Sequence, residues 1–358
     1  MSRSASRRRA AEPETRRRRF GRRQRTVVWS LVVALGLGCL LLAAFGIGPD
    51  VLARVGGVTI GTAYVYGLAA RTGGRPIVYS LLTLVVGVGV AVLDRDQLRT
   101  GAAVMVAATG AVLGVMGTTP AVRFTRAVRE CLTAVVVAAV GSLAAIGFDP
   151  VVVVSRYQYA VLLLALVGVF VLVYRLGAGL HGLGRRGVVT VALGAVILAA
   201  TLLYAELIRR YGTPGLVRSL FDGVRWCRHH LGGYPRPIEA FLGVPALVWG
   251  THMRARRRQG WWVCAFGVAA TAPIAATLGN PEVSVGEALV TAGYSVVVGL
   301  VIGYVVIRID LYLTGSPARG ARVARADRPT TGPGRRAARE AEEAAAVRPE
   351  PARTQALL

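Results

Sequence analysis

Residues 27–47 read VVWSLVVALGLGCLLLAAFGI, 21 positions without a charged side chain. Coiled as an α-helix, such a run is roughly 30 Å long, the thickness of a bilayer's hydrocarbon core. Eleven arginines precede it within residues 1–25. It is longer than the apolar core of a typical leader peptide, and no small-residue cleavage signal follows it. It reads as a first membrane helix.

Nine further apolar runs follow, at about 51–70, 77–93, 101–118, 131–147, 158–174, 188–205, 238–253, 260–278 and 286–307. Short charged clusters separate them. The expected fold class is therefore all-α, a polytopic transmembrane helix bundle of about ten spans. Only 17% of the residues are charged, against roughly a quarter in soluble domains. The expected organisation is an arginine-rich tail over 1–26, a transmembrane domain over 27–310 and a second tail over 311–358. Both tails hold few large apolar residues and are expected to be disordered.

The net charge is +25, and all 43 basic residues are arginine. The absence of lysine reads as the codon usage of a GC-rich genome. Nucleic acid is not the expected partner, because the charge gathers at the tails and span edges, where membrane orientation accounts for it. Arginine-rich tails at both ends place both termini in the cytoplasm, which requires an even number of spans. Ten satisfies this. The expected localisation is a bacterial plasma membrane. Six arginines between 209 and 236 would then lie outside, in a loop long enough to weaken their effect on topology.

That loop contains VRWCRHHLGGYPRP, residues 224–237. Thr213 and Pro214 mark a helix start, and Gly232-Gly233 a stop. Turned at 100° per residue, Leu216, Val217, Leu220, Phe221, Val224, Cys227 and Leu231 share one side. Arg218, Ser219, Asp222, Arg225, Trp226 and His229 fill the other, with Arg228 and His230 at its edges. This predicts an amphipathic helix over about 214–231 on the outer surface. A metal site fails on geometry, since Cys227 and His229 point to opposite sides and zinc needs three or four ligands. Arg218, Arg225 and His229 form a stripe bordered by Arg228, and guanidinium forks match phosphate oxygens. These four residues are the candidate ligand site, for an anionic or polyprenyl-phosphate lipid. Ordinary snorkelling at an interface is the competing account.

Glu206, Glu239, Glu287, Asp149 and Asp310 fall at span ends in this reading, which leaves no acid at mid-depth and argues against ion coupling. No cofactor or metal is expected. The four cysteines, Cys39, Cys131, Cys227 and Cys264, form no CxxC pair. GVTIG (57–61), GAVLG (110–114) and GLVIG (299–303) place small residues one turn apart, as in close helix contacts. VAATGAVLGVMGTTP (106–120) and VAATAPIAATLGNP (268–281) share a start and a terminal proline five spans apart, which would fit an inverted duplication.

No catalytic motif of the common hydrolase, metalloprotease or nucleotide-binding types is present. The expected function is a permease-like or cell-envelope-associated membrane protein engaging an anionic lipidic ligand at its outer face. Two alternatives stay open. One is a scaffold binding partner membrane proteins through small-residue faces. The other is a lipid-phosphate-dependent transferase with Asp50 as base.

Overall fold

The computed structural model describes residues 3–49, 51–151, 154–176, 184–256, 260–277 and 284–314. Among these residues there are helices and no strands. The helices are α1 (Arg3–Ala44), α2 (Val51–Arg71), α3 (Pro76–Leu93), α4 (Asp96–Gly117), α5 (Phe124–Ile146) and α6 (Val154–Arg175). They continue as α7 (Gly184–Tyr211), α8 (Pro214–Leu231), α9 (Val244–Arg256), α10 (Gly260–Ala265), α11 (Val268–Thr277) and α12 (Val285–Thr314). A π-helical turn, Ile238–Gly243, leads into α9. Among the described residues, eight helices are long and apolar enough to cross a bilayer. The protein is an all-α membrane bundle. The run expected at 188–205 lies within α7, and that at 238–253 is the π-turn with α9.

The N-terminal segment differs from expectation. Residues 3–26 are helical and continuous with the first span. Arginine, alanine and glutamate are good helix formers, and a helix already nucleated in the span propagates at little cost. The second tail from residue 315 and the candidate base Asp50 lie outside the described residues. Residues 311–314, assigned to that tail, are the last turn of α12.

Contacts sort the helix ends into two faces. On one, Arg71 at the end of α2 donates Nε to Met116 O (2.9 Å) and Nη2 to Thr118 O (3.0 Å). Arg254 of α9 donates to the same Thr118 carbonyl (2.9 Å), and Phe124 meets Tyr304 of α12 edge-on at 5.1 Å. This is the tail face. On the other, Arg54 pairs with Asp94 (2.8 Å), Arg99 reaches Asp94, Asp96 and Asp149, and Arg228 pairs with Glu287 (3.0 Å). This is the loop face.

The core is decided by one span. In Gly260–Thr277, 94% of the residues are buried, against 11% in Pro76–Leu93. The α10–α11 pair is therefore the centre, ringed by α4, α5, α6 and α9, while α3 faces lipid. Such burial needs side chains small enough for backbones to touch. A Cβ on Gly243 would overlap the backbone of Ala269 and Ala270, and one on Gly250 would sit 2.6 Å from Cys264 N. All three small-residue patterns lie at such contacts. Gly57 meets Ala144 O, Gly114 meets Ala134 O, and Gly299 meets Val244.

The central span is broken at Phe266–Gly267, where Leu247 fills the notch beside the glycine. Bonds from Gly267 N to Cys264 O (2.8 Å) and Ala270 N to Gly267 O (2.9 Å) keep the turn paired. The two VAAT segments also meet, Thr271 Oγ1 donating to Ala111 O at 3.0 Å. The likeness between the halves stops there. An inverted duplication would equate the third span with the eighth, yet α3 is exposed and α9 almost wholly buried. Residues 278–281 of the second segment lie outside the described residues.

Gly243→Ala forces the π-turn away from α11 and is expected to cost about 1–3 kcal/mol by overpacking. Gly89, in α3, has nothing within 4 Å of an added Cβ, so Gly89→Ala is expected to be neutral or to stabilise by about 0.5–1 kcal/mol. Thermal unfolding of the two variants in one detergent checks the contrast.

Candidate functional site

The loop face carries two polar arrangements. The first is α8. It starts at Pro214 and ends at Leu231, and Gly232 follows with φ +70°, the left-handed conformation that closes helices. Arg218, Arg225 and His229 are all exposed. Arg225 pairs with Asp222 one turn earlier, and its side chain is still 75% exposed. Arg228 turns toward α12. Its Nε lies 3.0 Å from Glu287 Oε1 and its guanidinium 5.6 Å from the Tyr234 ring. The ring of His229 lies 5.5 Å from that of His230, which stacks on Trp226. The four sequence-predicted residues therefore share one helix, but Arg228 is drawn to a partner 59 positions away that sequence reasoning did not supply. On the apolar side of α8, among the described residues, Leu220, Phe221 and Leu231 are exposed and Val217, Val224 and Cys227 half-buried. Among the described residues no group of three metal-ligating side chains occurs.

The second arrangement lies below it, and sequence reasoning missed it. After Gly232 the chain enters the bundle. Gly233 is buried so closely on α12 that a Cβ would sit 2.7 Å from Thr291 Oγ1. Pro235 and Pro237 restrict the backbone around Arg236 and lack N–H groups that would need partners. The Arg236 amide donates to Ser295 Oγ at 2.8 Å. The π-turn therefore begins beside residues ten positions into α12, inside the bundle.

This placement buries Glu239, which is 2% exposed. Arg236 Nη1 lies 3.7 Å from its Oε1 and also donates to Thr277 Oγ1. Among the described residues nothing hydrogen-bonds Glu239 Oε2. A cavity of about 50 Å³ adjoins the pair, lined by Val135, Ala139, Ile274, Thr277, Leu289 and Thr291 among others. Val135 and Ala139 lie eleven and seven residues in from the Ile146 end of α5, Leu289 and Thr291 lie four and six residues in from the Val285 start of α12, and Thr277 is the last residue of α11. Glu239 is therefore a buried acid near the loop-face end of its span. A hydropathy window cannot see this burial, because it scores a residue by its type and not by what packs on it. The usable signal was GGYPRP, which is small, proline-restricted and fit to enter between helices.

Of the remaining acids, Glu130 is buried in the first half of α5 and fully paired, accepting from Thr119 N and Arg129 Nη2, both at 2.8 Å. Glu287 serves Arg228, Asp149 serves Arg99, and the Glu206 side chain lies outside the described residues. On the tail face, Arg254 is 4% exposed and lies 3.5 Å from the Trp261 ring centroid. With Arg71 it covers the terminal carbonyls of α4. Cations at a helix C-terminus that satisfy open carbonyls are a structural device. No family model, curated protein or solved structure matches the chain.

Arg236→Met strands Glu239 without its cation, at an expected cost on the order of 3 kcal/mol. The double variant Arg236→Met/Glu239→Leu removes both charges and is expected to recover most of that loss. Unfolding of the wild type, single and double variants in detergent measures the difference.

Proposed function

We propose that this membrane protein is a permease-like component of the cell envelope that holds an anionic, phosphate-bearing lipid at its loop face through α8. The observation that carries this reading is the state of that helix. Its polar side presents Arg218, Arg225 and His229, with Arg228 at the edge, while Leu220, Phe221 and Leu231 of its apolar side are exposed among the described residues. A helix with both sides available lies in the interface plane, where its apolar side sinks into the acyl boundary. Its guanidinium groups then stand at headgroup depth. The pairs with Asp222 and Glu287 do not exhaust them, since a guanidinium has five N–H donors and these side chains are 75% and 52% exposed.

In this reading the arginine-rich tail face is cytoplasmic and the membrane is a bacterial plasma membrane, as the excess of arginine in the tails supports. An impermeant reagent reaching α8 in whole cells checks the orientation.

Native mass spectrometry of gently solubilised protein tests the ligand. The wild type is expected to retain an adduct with the mass of an anionic phospholipid or a polyprenyl phosphate. The variant Arg218→Gln/Arg225→Gln/Arg228→Gln is expected to lose it. An adduct equal in both proteins, or none in either, overturns the lipid site and leaves α8 as an interfacial cap.

A further inference from the structure

We propose that Glu239 is an intramembrane proton-binding site that exchanges its proton with water in the crevice beside it. Three observations carry this. The first is burial, since an ionisable side chain that is 2% exposed inside a membrane bundle is expensive to keep and is usually retained for a function. The second is incomplete pairing. The structural ion pairs of this protein are tight, at 2.8 Å for Arg54–Asp94 and 3.0 Å for Arg228–Glu287. Arg236 stands 3.7 Å from Glu239 Oε1, beyond hydrogen-bond reach; the Ser295 hydroxyl lies beside the carboxyl, and Oε2 has no hydrogen-bond partner among the described residues. A pair held only for stability would close that gap and fill that valence.

The third is the crevice. Its volume, about 50 Å³, exceeds the roughly 10–15 Å³ that one water needs. Glu239, Arg236, Thr277 and Thr291 are the polar residues in a lining that is otherwise apolar, completed by Val135 and Ala139 of α5 and Leu289 and Ala292 of α12.

The surroundings select a proton over a metal cation. The elements packed against the π-turn are α7, α9, α11 and α12. From them, Thr277 of α11 and Thr291 and Ser295 of α12 surround the acid, and α7 and α9 supply the apolar cluster around Leu242 and Ala246. Among the described residues lining the crevice, Arg236 is the one charged group besides Glu239. A fixed guanidinium beside a single carboxyl repels a metal ion and offers it too few oxygens. A proton needs neither a shell nor a second acid. It bonds to Oε2 from a water-borne hydronium, which leaves as water, and the carboxylate becomes a carboxylic acid. Arg236 stays charged, so the pair goes from neutral to a net charge of about +1. Release reverses each change.

Infrared difference spectroscopy of the full chain in liposomes, titrated across neutral pH, tests the proposal. The wild type is expected to show a protonated-carboxyl C=O band that grows as pH falls and is absent from Glu239→Gln. Arg236→Gln provides a second reading should Glu239→Gln fail to fold. With the neighbouring cation gone, the band is expected to be larger at any given pH within the titration. A wild-type protein with no such band, or a band unchanged by both substitutions, overturns the proposal.

Discussion

The contact on which the rest of the structure depends is between two backbones. Gly243 and Gly250 let the helix of the eighth span lie directly on the ninth, against Ala270 and Cys264. Lipid tails are as apolar as leucine, so helices in a bilayer gain little by hiding apolar side chains from water. What holds them is close van der Waals packing, which falls off steeply with a small gap. A glycine facing a backbone gives the closest approach available. The ninth span therefore becomes the centre, almost entirely enclosed, and α4, α5 and α6 close around it through further glycine and alanine contacts.

That choice propagates to the polar groups. With α9 fixed against α10, the π-turn against α11, and α9 running in the same direction as α12, the segment before it has to reach the start of the π-turn from the loop face. It does so as GGYPRP, which runs along α12 and needs few backbone partners. The first charged residues of the turn are thereby carried inward with it. Glu239 is buried, and Arg236 half-buried, because the helix they precede is packed tightly. At the tail face the same packing brings Arg254 beneath the end of α4, where with Arg71 it covers the carbonyls that the helix leaves open.

Much of this was legible in the sequence, and what was legible was local. The bounds of α8 follow from Pro214 and Gly232, and its two sides from a period of 3.6. The spans follow from runs of apolar residues set against the thickness of a bilayer. The burial of Glu239 was not legible, because it is set by the packing of the π-turn and α9 against α10, α11 and α12, which come later in the chain. Nor was the partner of Arg228, which comes from the next span but two. The helical state of residues 3–26 was misjudged for another reason. A shortage of core-forming residues excludes a globular fold, but it does not exclude a helix that extends a neighbouring one.

The central claim is therefore the meeting of two backbones, and it can be measured without altering the protein. Solid-state NMR of the uniformly labelled protein in lipid bilayers reports through-space transfer between backbone carbon and nitrogen nuclei. The account predicts a strong cross-peak between Gly243 and Ala270. Its absence, with both residues otherwise assigned, would contradict the packing of α11 and with it the burial of Glu239.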